Sequence, residues 1–298
     1  MGIFVINLDR SADRWASIRQ SFGGMPWPVV RVAGLDWRLD SAAILAMRGK
    51  TITLPPHGLG HNIRRPRHFM LAEEACVAGH MLVWRQFLAS GFQHALVLED
   101  DALPRPAFRE VVRALLAVGM ATDIVKLEGS SRRGTRKVLR TATVGGCELV
   151  RSLRPSFGSA GYMITRKAAE QLLARIVHRG GRLMPIDDFL WSPMWHGLRL
   201  ADVSPGVIGQ SGAPSMIART GPARTSWTAR SLLHATGAGA IRALERLVLL
   251  WSSSDGQLHR LLGAKAAPWR GPLPDDAGGL GAGDKQKADA LSSAGRSP

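Results

Sequence analysis

The run IFVINL (3–8) is apolar and rich in β-branched residues, and predicts a buried strand. It stops at Asp9-Arg10-Ser11, where Asp9 or Ser11 can cap a helix near 12–22; Gly23, Gly24, Pro26 and Pro28 end that helix. PVVRVAG, running to Gly34, predicts a second strand. Strand, helix and strand in this order open a parallel sheet. Residues 71–90 predict a helix, with Leu71, Ala75, Ala78, Leu82 and Phe87 among its apolar members and Gly91 as its stop. Ala95 to Leu98 predicts a buried strand, 106–118 a helix opened by Pro104 and Pro106, and DIVKLEG (123–129) another strand. Strands are expected at 143–150, 160–165 and 198–203, and helices at 166–178 and 187–195. Two stretches lack periodicity: 49–68, a long loop rich in Pro, Gly, His and Arg, and 130–140, a basic loop.

Beyond this the pattern changes. Residues 228–251 predict a helix with Leu232, Leu233, Ile241, Leu244, Leu247 and Val248 apolar and Arg230, Arg242 and Arg246 basic. From Pro268 the chain is Gly, Pro, Ala, Ser and charge, a composition expected to be disordered. The expected division is therefore an α/β domain over 1–210, a basic helical extension over 211–267 and a disordered tail over 268–298.

Composition narrows the function classes. Of 298 residues, 45% are hydrophobic and 21% charged, which suits a soluble globular protein rather than a disordered one. The net charge of +16 favours polyanionic partners: nucleic acid, an anionic membrane surface or a phosphate-bearing substrate. Aromatics make up only 6% and there is one Tyr, with no helix-turn-helix, zinc or RNA-binding signature, so nucleic acid is not expected. Cys76 and Cys147 are too few for a disulfide framework, and neither sits in a metal-binding spacing. Cys76 is expected to be a small buried residue without chemistry. The first apolar run is too short for a signal peptide's core and no stretch reaches transmembrane length, so a cytoplasmic location is expected. The basic helix over 228–251 can dock on anionic lipid, which would make the protein peripheral to the inner membrane.

The strongest chemical signal is Glu99-Asp100-Asp101, three carboxylates directly after a buried strand. In open α/β sheets ligands bind beyond the carboxyl ends of strands. Adjacent anions repel, so a fold that keeps them together there points to a hard cation, Mg2+ or Mn2+, set against a leaving diphosphate. A surface turn capping the next helix would show the same triplet.

Four blocks in order, VINLDRSADR (5–14), EEACVAGHMLVW (73–84), ALVLEDDA (95–102) and SAGYMITRKAAEQLL (159–173) with PIDDFLW (185–191), resemble glycosyltransferase family 25, which includes lipooligosaccharide β-galactosyltransferases. The likeness covers about residues 3–210. Ala75 and Gly79 stand where the family usually has Gly and Ser, and SAGYMIT replaces a more usual G-T-x-A-Y. The resemblance implies a GT-A-like fold, a Rossmann-type, mostly parallel sheet flanked by helices. It also implies a hexosyltransferase that uses a UDP-sugar, with galactose foremost, and inverts the anomeric centre. Its acceptor would be a lipopolysaccharide or another lipid-linked glycan. The alternatives are a catalytically degraded relative, which the altered positions allow, and a basic nucleic-acid- or polyanion-binding protein, which the charge prompts.

By block position, Asp101 is the expected metal ligand, for Mn2+ or Mg2+. Asp187 is the leading general base, Asp188 its reserve, and Glu99 stands with them at the reacting centre or, like Asp100, faces the donor ribose or sugar. Asn7 and Asp9 are expected at uracil or ribose, and Arg10 and Arg14 at phosphate. His80 would bond the diphosphate or orient a carboxylate, unless it is a satisfied core histidine. Lys126, Glu128 and Tyr162 are expected to line the cleft.

Overall fold

The first strand is β1 (Gly2–Asn7), followed by α1 (Ala12–Phe22) and β2 (Val29–Ala33). The computed structural model describes residues 1–47, 71–129, 135–152, 158–178, 185–212 and 266–268. After β2 come α2 (Ser41–Met47), α3 (Leu71–Ala89), β3 (His94–Glu99), β4 (Ala102–Pro104), α4 (Phe108–Ala117), β5 (Ile124–Lys126), β6 (Thr135–Val144) and β7 (Cys147–Ser152). The remainder is β8 (Gly161–Thr165), α5 (Arg166–His178), α6 (Ile186–Leu190), α7 (Pro193–His196), β9 (Leu200–Ser204), β10 (Ile208–Gln210) and β11 (Ala266–Pro268).

Among the described residues, nine strands form one sheet in the order β11-β6-β7-β9-β5-β8-β3-β1-β2. β1 pairs in parallel with β2 and β3, and β5 with β9; the other pairings are antiparallel. Most strands still point one way: β2, β1, β3, β5, β9 and β6 run together, against β8, β7 and β11. This is the α/β class expected, with a mostly co-directional sheet flanked by helices. Its departures from a purely parallel sheet are β7 and β11 toward one edge and β8, which lies antiparallel between β3 and β5.

Side-chain alternation sorts the core into two layers. Ile3, Val5, Leu96, Leu98, Val125 and Met163 pack with Ile18 and Phe22 of α1 and Val111 and Leu115 of α4. Phe4, Ala95, Val97, Ile124, Tyr162 and Ile164 face the other way, toward Met81, Trp84 and Phe87 of α3 and Leu172 of α5. Helix α3 is enclosed by the sheet, α5 and α6, so even Glu73 and Glu74 at its start are buried.

Several expectations need correction. The basic loop expected over 130–140 is a strand from Thr135 onward, and 143–150 is not one strand but the turn and return of the β6–β7 hairpin. Gly145 and Gly146, at φ 53° and 78°, make that turn. The helix expected over 187–195 is split into α6 and α7, because Pro193 cannot continue α6 and instead opens α7. The Ser11 side chain makes no capping hydrogen bond to α1. α2, β4 and β10 were not expected from sequence. Residues 49–68, the 228–251 helix and the tail after Pro268 lie outside the described residues. Ala266–Pro268 pairs with β6 at the sheet edge.

Candidate active site

The three consecutive carboxylates diverge. Glu99 keeps the parity of Ala95 and Val97 and so faces α3, where His80 Nε2 lies 3.6 Å from its Oε1. The same oxygen accepts a hydrogen bond from the Ser159 hydroxyl. Asp100 turns toward α1: it accepts from Arg14 Nη1 at 2.8 Å and from Asn7 Nδ2 at 2.9 Å. Asp101 has a buried Oδ1 with no hydrogen-bond partner among the described residues.

Their electrostatics diverge too. Burial opposes the charge on Glu99, but the His80 imidazole beside it, the Ser159 hydroxyl and the nearby Arg14 outweigh it, so its pKa is lowered. Burial, with Glu99 and Asp100 beside it, raises the pKa of Asp101 to about 6, against the partial pull of Arg14. One carboxylate of the triplet is thus held as an anion by protein donors, one is ion-paired, and one is poorly compensated.

Around the end of β1, Asn7 is buried and its side chain is fully engaged. Nδ2 donates to Ser11 O and to Asp100, and Oδ1 accepts from Arg31 Nε at 2.8 Å. Asp9 is exposed and pairs with Arg31 at 2.6 Å. Arg10 pairs with Asp36, whose pKa is lowered: burial would raise it, but the Arg38 amide and Arg10 prevail. A cleft between β1, β3 and the start of α3 is lined by Leu8, Trp37, Ala72, Cys76, Asp100 and Asp101. Trp37, half-buried with Arg38 stacked 5.4 Å from its ring centroid, was not expected from sequence.

A second carboxylate group adjoins the first. Gly158 N–H donates to Asp187 Oδ2 at 2.9 Å and Ala160 N–H to Glu128 Oε2 at 3.0 Å. Trp191 Nε1–H donates to Gly158 O at 2.7 Å, and Lys126 Nζ lies 3.9 Å from Glu128 Oε2 and 5.5 Å from the Trp191 ring centroid. Gly158 has φ +81°, and a β-carbon there would collide with the Glu128 carboxylate. Burial raises Glu128 to about 7 despite Lys126, with Glu99 and Asp187 adding to the rise. Burial likewise raises Asp187, against the Gly158 amide and Lys126, while Glu99 adds to the rise. Asp188 is the next residue of α6.

His80 is a core residue whose two ring nitrogens face different groups. It is fully buried, with Nδ1 2.7 Å from the Tyr162 hydroxyl, which also accepts from Trp84 Nε1 at 3.0 Å; its other nitrogen is turned to Glu99. Cys76, one turn earlier on α3, is half-buried and not the plain core residue expected. Its thiol, pushed well up by burial and by the surrounding carboxylates, lies with His80 and Glu99 in one cluster. The i, i+4 spacing of Cys76 and His80 was the sequence signal for this proximity. The sequence reading set Glu128 only among cleft-lining residues; a carboxylate two positions after Lys126 at a strand end was its signal.

A family model described as Glycosyltransferase family 25 (LPS biosynthesis protein) matches residues 1–190, which include every site residue named above except Trp191. The chain is 26% identical over 216 residues to the Lacto-N-neotetraose biosynthesis glycosyltransferase LgtB of Neisseria meningitidis serogroup B, covering 69% of this chain and 74% of that protein. It is 29% identical over 196 residues to the Inactive glycosyltransferase 25 family member 3 of Homo sapiens, covering 63% of this chain and 31% of that one. It is 26% identical over 192 residues to a Glycosyltransferase 25 family member of Anopheles gambiae, again 63% and 31%. The chain therefore spans about a third of the length of these animal relatives.

Proposed function

The chain belongs to glycosyltransferase family 25, and from that membership we propose that it transfers a hexose, galactose foremost, from a UDP-sugar to a hydroxyl of a lipopolysaccharide-type glycan with inversion. The observation that carries this is the split of Glu99, Asp100 and Asp101 into three environments at the end of a sheet strand. Such a division suits transfer from a diphosphate: it leaves one anchored anion, one structural ion pair and one carboxylate open to a cation that offsets the leaving group's charge.

Asp187 is the proposed general base. It is half-buried, held by the Gly158 amide, and its raised pKa makes it the stronger proton acceptor. It takes the acceptor hydroxyl's proton as the oxygen bonds to the anomeric carbon and the bond from that carbon to the diphosphate breaks, releasing UDP. Asp188 is the reserve. Glu99, fixed by Ser159 and His80, is suited to bonding the sugar rather than to exchanging a proton. Asp9 and Arg10, at the more exposed end of β1, would meet the donor; Asn7, Arg14 and Asp100 hold that end in place, and Trp37 offers a face for the uracil ring.

The orphaned, buried oxygen of Asp101 fits a hard divalent cation. Mn2+ or Mg2+ held there would offset the charge of the departing diphosphate. No helix among the described residues is long and apolar enough to cross a membrane. A cytoplasmic protein that meets its lipid-linked acceptor at the anionic inner-membrane surface suits the +16 net charge.

The test is UDP release from a panel of UDP-sugars with Mn2+, with and without a lipopolysaccharide acceptor, beside Asp101→Ala and Asp187→Asn. Release that prefers one donor, rises with acceptor and collapses in both variants supports the proposal. No release, joined with no UDP binding by calorimetry, sides with the relatives named inactive and refutes it.

A further inference from the structure

Cys76 and His80 are four residues apart on α3, so both side chains leave the same face of the helix. That face meets the end of β3, where Glu99 follows the parity of Ala95 and Val97. One ligand atom from each of the three, a sulfur, an imidazole nitrogen and a carboxylate oxygen, lies within 4.8 Å of the other two. A zinc ion bound at its usual Zn–S and Zn–N distances needs ligand atoms about 3.3–3.7 Å apart. His80 Nε2 and Glu99 Oε1, at 3.6 Å, already satisfy this.

A second, independent observation points the same way. His80 is fully buried and its Nε2, aimed into the cluster, stands 3.6 Å from Glu99 Oε1, beyond hydrogen-bond distance, and has no hydrogen-bond partner among the described residues. A buried polar atom without a partner is costly unless something binds it. The other ring nitrogen, Nδ1, is fixed by the Tyr162 hydroxyl at 2.7 Å, and that hydroxyl by Trp84. An outer-shell bond of this kind orients a metal-binding histidine.

We propose that Cys76, His80 and Glu99 form a site for a borderline-soft divalent cation of the Zn2+ class, distinct from the hard-cation position at Asp101. The donor set decides the class. Thiolate and imidazole select zinc-like ions over Mg2+, whereas Asp101 offers only oxygen. Cys76 binds as the thiolate, so one proton passes to solvent as the sulfur–metal bond forms. Glu99 Oε1 keeps a lone pair beyond the one that Ser159 engages. Three protein ligands leave a fourth position on the side of the cleft that Cys76, Glu99 and Asp101 share. An ion there occupies Glu99, so on the function proposed above it inhibits transfer. The site itself does not depend on that function.

The test uses the full-length protein stripped of metal and titrated with Co2+, read by the near-ultraviolet thiolate-to-cobalt charge-transfer band. The expected result is one Co2+ per chain carrying the band, bleached by one equivalent of Zn2+. Cys76→Ser should abolish the band and His80→Gln should weaken binding at least about 10-fold, since one lost ligand costs more than about 1.4 kcal/mol. Cys147→Ser and Asp101→Asn should keep it. No band in the wild type, or a band that survives Cys76→Ser, overturns the proposal. The readout needs no turnover, so a protein without transferase activity can still show the band, and an active one can lack it.

Discussion

Arg14 of α1 and Asp100 beyond β3 meet at 2.8 Å although 86 residues separate them. The contact ties the first helix to the acidic turn. It also takes Asp100 out of the triplet, while the same guanidinium holds down the pKa of Asp101. Arg14→Met keeps the apolar stem and removes the charge. It should cost about 1.5 kcal/mol in a urea unfolding curve. It should also move the acid limb of the pH–activity profile to higher pH; an unchanged limb would separate Arg14 from Asp101.

Asp101 gives a pH prediction with a definite sign. Its pKa is about 6 in the fold and about 3.9 in an unfolded chain, so the folded state binds the proton more tightly. Stability from this group is complete below about pH 4 and is lost as pH rises through about 6. The metal-free Asp101→Asn variant should therefore match the wild type at pH 4 and exceed it at pH 8, by on the order of 2 kcal/mol after solvent screening. Thermal unfolding at the two pH values checks it. Added Mn2+ should reverse the order at pH 8 by stabilising only the wild type.

Gly158→Ala should damage both fold and activity. Its positive φ disfavours any side chain, and the new β-carbon would strike the Glu128 carboxylate. A loss of about 1–3 kcal/mol is expected. Because the Gly158 amide positions Asp187, kcat should fall about 100-fold for a displacement near 1 Å. Retained kcat in a destabilised protein would argue that Asp187 is not the base.

Ser159→Ala removes one of the donors that keep Glu99 ionised. The pKa of Glu99 should rise and kcat should drop about 10-fold. The donor KM should change less, because Ser159 reaches Glu99 and not the β1 end. Steady-state kinetics that showed the whole effect in KM would mean that Glu99 holds the sugar no more tightly in the transition state than in the ground state.

Local pattern revealed the frame of this site better than its contacts. Ile3 to Leu8, Ala95 to Leu98 and the stop at Gly91 each mark a strand or helix end by composition alone, and the structure has those ends within a residue or two. The acidic triplet was conspicuous because three charges in succession break an apolar run. What could not be read was their separation. Strand parity sends Glu99 to α3, but that Asp100 meets Arg14 is a packing outcome with no short-range signature. The β6–β7 hairpin is hidden in the sequence because its basic residues resemble a loop, and Gly145-Gly146 marks the turn. Glu128 was undervalued because its importance comes from burial, which depends on residues 158–160 folding over it.

The antiparallel strand β8 has a consequence for how the chain assembles. Glu99 precedes its partner Ser159 by 60 residues, and Ala160 caps Glu128 from 32 residues further along the chain. A nascent chain that ends before β8 holds its acidic turn without those donors, and the slot between β3 and β5 is open. Closing it brings together strands distant in sequence, which slows folding. Insertion of β8 then does two things at once: it joins the β3 side of the sheet to the β5 side, and it brings in the donors that hold Glu99 and Glu128 in place.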